Sequence, residues 1–265
     1  MDIAAWLPPL VRALATALIV VSASAVAESL GPFWGALVAS LPISAGPAYV
    51  FLAMQHDADF VAASALASVT ANAATGMFLI VYATLAPRLP LWRSLGAAIL
   101  AWAASAVALQ QIAWTPAAAV LPNLAVYGFG ILLGRRRRAV TPAPSSRARR
   151  RWYELPLRAA AVAAFVSLIV GISSILGPAT TGMAALFPVS FISLIVIVHL
   201  RMGGAVSGLI AANAMLPMVG FGAMLLALHL AIAPLGVTAA LLLALAISLL
   251  WSALLLLTQT RRYRH

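Results

Sequence analysis

Leu30-Gly31-Pro32 recurs 146 residues later as Leu176-Gly177-Pro178, and the register around the two copies decides how the chain is read. In that register Trp6 falls on Trp152, Arg12 on Arg158, Pro42 on Pro188 and Ser44 on Ser190, without a gap. Alanines match by chance in a chain this rich in them. Trp, Arg, Gly-Pro and Pro do not, so the match marks an internal duplication. The repeat resumes at a spacing of 141, where Ala71-Asn72-Ala73 meets Ala212-Asn213-Ala214. A longer loop around His56 in the first copy absorbs the difference.

Composition sets the solvent. The chain is 64% hydrophobic and 8% charged, with a mean hydropathy of +1.07, outside the range of soluble globular domains. Several apolar runs reach the roughly 20 residues that cross a hydrocarbon core of about 30 Å. The expected fold is therefore all-α, a polytopic transmembrane bundle. There is no cysteine, which removes disulfides, thiolate metal sites and cysteine nucleophiles. All 16 basic residues are Arg, and with the Ala richness this points to a GC-rich bacterial genome and an inner membrane. Met1-Asp2 places no basic region before the first apolar run, so the start does not read as a cleaved signal peptide.

The net charge of +11 is concentrated in Arg135–Arg138, Arg147–Arg151 and the C-terminal Arg261, Arg262 and Arg264. Such clusters beside apolar runs read as topology determinants and contacts to anionic headgroups, not as a nucleic-acid surface. Nine spans are expected, near 10–28, 32–54, 60–86, 91–110, 116–134, 156–175, 178–199, 204–232 and 236–258. With the Arg-rich loop cytoplasmic, the N-terminus falls outside and the C-terminus inside. Arg88, Arg93 and Arg201 then also lie inside, and Gln55 to Asp59 outside. Arg12 is the one basic residue near the outer face, where it has to snorkel. Span one and span six are five crossings apart, so the duplication is inverted. Residues 1–134 hold the first four-helix unit and a connecting fifth helix, 135–152 the Arg-rich loop, and 153–265 the second unit.

Gly-Pro starts a helix, because proline suits a first helical position. Pro42 lies ten residues after Pro32, and Pro188 ten after Pro178, which is about 15 Å of helix. Both prolines therefore reach mid-membrane from opposite faces, and each frees a backbone carbonyl one turn earlier. Leu41-Pro42-Ile43-Ser44-Ala45-Gly46-Pro47 reads as the more broken copy; Phe187-Pro188-Val189-Ser190 reads as a break or only a kink. Asn72 and Asn213 reach the same depth, and an amide is expected to point inward there. They either join helices or, with Pro42, Ser44, Thr70, Pro188 and Ser190, line a substrate site between the repeats. Thr75, Ser64 and Ser68 make the third span unusually polar. Ala63, Ala67 and Ala71 match Gly204, Gly208 and Ala212, a spacing that suits close helix packing.

Glu28, just before the Gly31-Pro32 break, is the carboxylate that could carry a coupling proton; a solvated or capping role is the alternative. His199 and His229 read as interfacial hydrogen bonders. His56, Asp57 and Asp59 lack a fourth ligand for a metal. No motif of a zinc hydrolase, serine hydrolase or phosphate-binding loop is present, so neither enzyme nor cofactor is expected. The sequence predicts a transporter moving a small solute by alternating access between inverted repeats. The alternative is a non-transporting membrane subunit or scaffold of a larger complex. A homodimer is compatible with either.

Overall fold

The structure is a computed structural model and describes residues 45–137 and 154–262, with Val11, Leu14, Ala15, Ala17, Leu18 and Ser22. Every regular element among the described residues is helical. In chain order these are α1 (Ala45–Gln55), α2 (Ala58–Leu85), α3 (Leu91–Gln110), α4 (Val120–Arg137), α5 (Glu154–Ala185), α6 (Val189–Met202) and α7 (Gly204–Arg262). Four stretches are long and apolar enough to cross a membrane: Ala58–Leu85, Leu91–Gln110, Pro156–Met202 and Gly204–Thr258. A multi-pass membrane protein in contact with lipid follows from their length and composition.

The last two stretches run 47 and 55 residues, well beyond the roughly 20 that one crossing takes. Both are folded back on themselves. Gly177 (φ 72°) divides α5 into α5a (154–176) and α5b (178–185), and Gly236 (φ 78°) divides α7 into α7a (204–235) and α7b (237–262). Gly203 (φ 84°) separates α6 from α7. These are the described residues with positive φ, and all three are Gly, the residue that enters this region without a Cβ clash. Side chains meet across each reversal. Thr181 Oγ1 donates to Ser173 O at 3.3 Å around Gly177, and Ser207 Oγ lies 3.4 Å from His199 Nδ1 around Gly203. Trp251 Nε1 donates to Leu216 O at 3.2 Å across the α7 hairpin. The expected helix start at Gly177-Pro178 is thus present, while Gly31-Pro32 lies outside the described residues.

Helix α2 is the central element. In its most apolar window 78% of residues are buried, against 28% to 39% in the other three. That explains why it tolerates Ser64, Ser68, Thr70, Asn72 and Thr75: all five are buried in protein, where their groups find partners that lipid lacks. Asp57 caps the helix, its carboxylate accepting from Phe60 N at 2.8 Å. Helix α7a packs antiparallel to α2. Gly204 sits so close to the Ala86 carbonyl that a Cβ would collide with it, and His229 Nδ1 donates to Ala62 O at 2.8 Å at the other end. Helix α4 runs parallel to α2, with Asn123 beside Val69 and Gly130 beside Ile80.

These directions gather the described basic residues at one end of the bundle. Arg88 and Arg93 follow α2, Arg135 to Arg137 close α4, Arg158 is near the start of α5a, Arg201 ends α6, and Arg261 and Arg262 end α7b. Asp57 and Asp59 lie at the opposite end, before and within the first turn of α2.

Candidate site at the broken helix

After Gly177 the chain runs as a half-helix, α5b, which stops at Ala185; α6 begins only at Val189. Leu186, Phe187 and Pro188 between them are not helical. Proline has no N–H to donate and its ring excludes the preceding turn, so Phe187-Pro188 is a full break and not the kink that its sequence also allowed. The break is level with Thr75, near the middle of α2.

A helix end inside an apolar bundle leaves carbonyls that water cannot reach, and each must find a donor. One face of α2 supplies donors to two of them and to one carbonyl of the first turn of α5b. Ser64 Oγ donates to Pro178 O at 3.0 Å, Ser68 Oγ to Gly182 O at 2.7 Å, and Thr75 Oγ1 to Leu186 O at 3.0 Å. The acceptors are four residues apart, Pro178 and Gly182 on α5b and Leu186 just past its end, so they follow one row. Gly182 O is available because Leu186 N turns instead to Met183 O at 3.2 Å. Tyr49 on α1 joins the row, its hydroxyl 2.6 Å from Ser68 Oγ. Gly182 lets this happen: a Cβ there would strike the backbone of Ser64. Aromatic rings wrap the break itself. Trp102 meets Phe187 edge-on at 5.1 Å, Phe165 lies 5.8 Å from the same ring, and Trp102 Nε1 reaches Thr75 Oγ1 at 3.4 Å.

Asn72 is fully buried and belongs to a different junction, of α2, α4 and α7a. Its Nδ2 donates to Asn123 Oδ1 at 2.9 Å and to Met218 O at 3.1 Å. Tyr127 donates to Asn72 O at 2.7 Å and approaches Asn72 Oδ1 at 3.2 Å. Asn123 Nδ2 in turn donates to Val69 O at 2.7 Å. In this arrangement the amide ties three helices together. Thr70 Oγ1 turns back to Ala67 O at 2.8 Å on its own helix.

Asn213 does not share this junction. It is exposed on α7a, and the antiparallel register puts it opposite the last third of α2, because Met215 meets Gly130 beside Ile80 while Met218 meets Asn72. The expected inward orientation holds for Asn72 and not for Asn213. Pro188 is buried at the break, and Ser190 is half-buried two residues on, its carbonyl accepting from Ser193 Oγ at 3.0 Å. Glu28, Pro42 and Ser44 lie outside the described residues.

Histidines mark opposite ends of the bundle. His56 stacks on Phe60 at 3.7 Å and bonds Ser173 Oγ at 2.7 Å, fastening the end of α1 to α5a. His199 bonds the Tyr82 hydroxyl at 2.7 Å, and that hydroxyl is 2.8 Å from Ser207 Oγ. Among the described residues no three His, Cys, Asp or Glu gather as a metal site.

Sequence reasoning passed over Tyr49, Tyr82, Trp102, Asn123 and Tyr127. Asn123 carried a signal, an amide in an apolar run directly after Pro122. The aromatic residues carried none, because an apolar helix uses the same residues against lipid and against protein. Comparison with protein-family models, with curated proteins and with solved structures finds no match.

Proposed function

We propose that this protein is a membrane transporter that moves a small solute by alternating access. In this reading the chain crosses the membrane nine times as two inverted four-helix units, and the basic end of the bundle faces the cytoplasm of a bacterial inner membrane. The observation that carries it is the break at Leu186-Phe187-Pro188, level with the middle of the central helix and wrapped by Trp102 and Phe165. Discontinuous helices meeting at mid-membrane are the feature that best marks a transporter site. The reversals at Gly177, Gly203 and Gly236 support the crossing pattern, and the common end of the basic residues supports its orientation. The solute site is assigned to the break at Pro188 with Ser190, together with the residues the sequence pairs with them, Pro42 and Ser44. Asn72 supports it from behind by fastening α2 to α4 and α7a, Thr70 lies near it with its hydroxyl on its own helix, and Asn213 is its outermost candidate. Glu28 stays the carboxylate candidate for coupling.

A Ser190→Cys variant tests this in liposomes, since the natural chain has no cysteine. Alternating access predicts that small membrane-impermeant thiol reagents reach it from either face in turn, and that a transported solute changes the rate. A cysteine reached from neither face, whatever solutes are supplied, refutes the reading.

One observation favours the alternative of a non-transporting subunit. The polar groups of α2 at Ser64, Ser68, Asn72 and Thr75 all serve to hold neighbouring helices. Stable co-purification with one partner protein, without solute-dependent labelling of Ser190→Cys, supports that role.

A further inference from the structure

His199 sits where three helices meet, four residues before the reversal at Gly203. Its Nδ1 lies 2.7 Å from the Tyr82 hydroxyl on α2. That hydroxyl is 2.8 Å from Ser207 Oγ on α7a, which is 3.2 Å from Gly204 O. Tyr82 and Ser207 are buried, while His199 is partly exposed. The imidazole is thus reachable from the bundle surface, and the phenol behind it is enclosed. We propose that His199, Tyr82 and Ser207 form a proton-binding site that couples protonation to movement of α6, an inference that rests on the transport reading above.

The argument is one of hydrogen-bond direction. A hydroxyl both donates and accepts, whereas a backbone carbonyl only accepts. When Nδ1 carries a proton, it donates to Tyr82, Tyr82 donates to Ser207, and Ser207 donates to Gly204 O. When Nδ1 is bare, Tyr82 turns its proton to Nδ1, and Ser207 keeps Gly204 O. Both neutral tautomers and the imidazolium thus find a satisfied partner on the Tyr82 side. A proton can be taken up at one ring nitrogen and released from the other without leaving a buried group unpaired there.

The other described histidines lack this freedom. His229 Nδ1 faces the Ala62 carbonyl, which requires an N–H at all times. His56 faces Ser173 Oγ, whose own proton goes to Val170 O at 2.7 Å. The charged or titratable residues at the His199 end of the described elements are Tyr82 on α2, Arg88 after it, Arg93 on α3, Arg135 to Arg137 on α4, Glu154 and Arg158 on α5a, Arg201 on α6, and Arg261 and Arg262 on α7b, so that cations outnumber the one carboxylate. With cations in excess at this end, protonated His199 favours an arrangement in which the end of α6 is better hydrated. That difference in free energy between two arrangements is what coupling demands. Histidine is also the side chain that titrates near neutral pH.

Two measurements on the full chain in liposomes test the site. Imidazole 15N resonances, assigned with His199→Gln, report the charge on His199. Spin labels on Arg88→Cys and Leu200→Cys, both exposed, report the distance between the α2 end and α6. The expected result is that His199 titrates between about pH 5 and 8 and that the distance changes with the same midpoint. His199→Gln should abolish the pH response, and Tyr82→Phe should move its midpoint. Should His199→Gln fail to fold, Tyr82→Phe carries the test. Two distances exchanging without regard to pH, or a pH response that survives in His199→Gln, overturn the proton site and leave the transport reading standing. One distance under every condition overturns both.

Discussion

Asn72 and Asn213, paired by the sequence register, have different surroundings: Asn72 is buried and Asn213 is exposed. The Asn72 amide makes two donor bonds to other helices, and Tyr127 closes on its oxygen. Asn72→Ala strands Met218 O and Asn123 Oδ1. The expected cost is about 1–2 kcal/mol, between the average for intramembrane hydrogen bonds and the penalty for an orphaned buried group. Asn213→Ala, at an exposed position, is expected to cost less than Asn72→Ala. Unfolding of both variants in the same mixed micelles checks this. Equal losses would mean that Asn72 is not the junction its bonds describe. The sequence put both residues near mid-membrane from the rise per residue, and this holds for Asn72, whereas Asn213 lies in the first third of α7a. It could not say which way each faces. A helix that is apolar all round has no stripe to distinguish core from lipid, so Asn213 was expected inward and lies outward.

At the scale of the element, the informative object is the half-helix α5b and the hydroxyl row that holds it. Its packing against α2 requires that residue 182 have no side chain. Gly182→Ala should force the helices apart and cost about 1–3 kcal/mol, the range for overpacking. Gly171→Ala is the control, since its Cβ meets nothing within 4 Å, and it should be neutral or slightly stabilising from helix propensity. Ser68→Ala leaves Gly182 O without its donor and Tyr49 without its partner, and should destabilise the protein by about 1–3 kcal/mol. Thermal unfolding of the three variants ranks them. A Ser68→Ala protein as stable as Gly171→Ala would break the link between the row and the helix end. Pro188 marked the place beforehand but did not decide between a break and a kink, since Pro217 lies inside α7a without interrupting it. The donors that satisfy the break were visible only as an unexplained polar stretch in the third span, because a sequence does not say which carbonyls a hydroxyl will meet.

For the whole molecule, the gathering of the described Arg residues at one end yields a topology prediction. Cysteines at Asp57 and Gln111, both exposed at the acidic end, should react with impermeant reagents from one face of the membrane. Cysteines at Arg88 and Ser145 should react from the other face only. Labelling of Asp57→Cys and Arg88→Cys from the same side would remove α2 as a crossing helix, and the inverted arrangement with it.

Hydropathy and helix punctuation alone were enough to establish the helical membrane class, the ends of α2, α3 and α5a to within a few residues, and the reversals at Gly177, Gly203 and Gly236. The reason is that lipid leaves a backbone few options. Long apolar runs become helices, and Gly or Pro interrupts them. Tertiary structure alone decided that α2 is the centre, that its hydroxyls hold a half-helix, that Asn72 ties α4 to α7a, and that Tyr82 stands between His199 and Ser207. These outcomes depend on the rotation of each helix about its axis. That rotation is set by small-residue contacts such as Gly182 against Ser64 and Gly204 against Ala86, and lipid, as apolar as the core, imposes no pattern from which it could be read in advance.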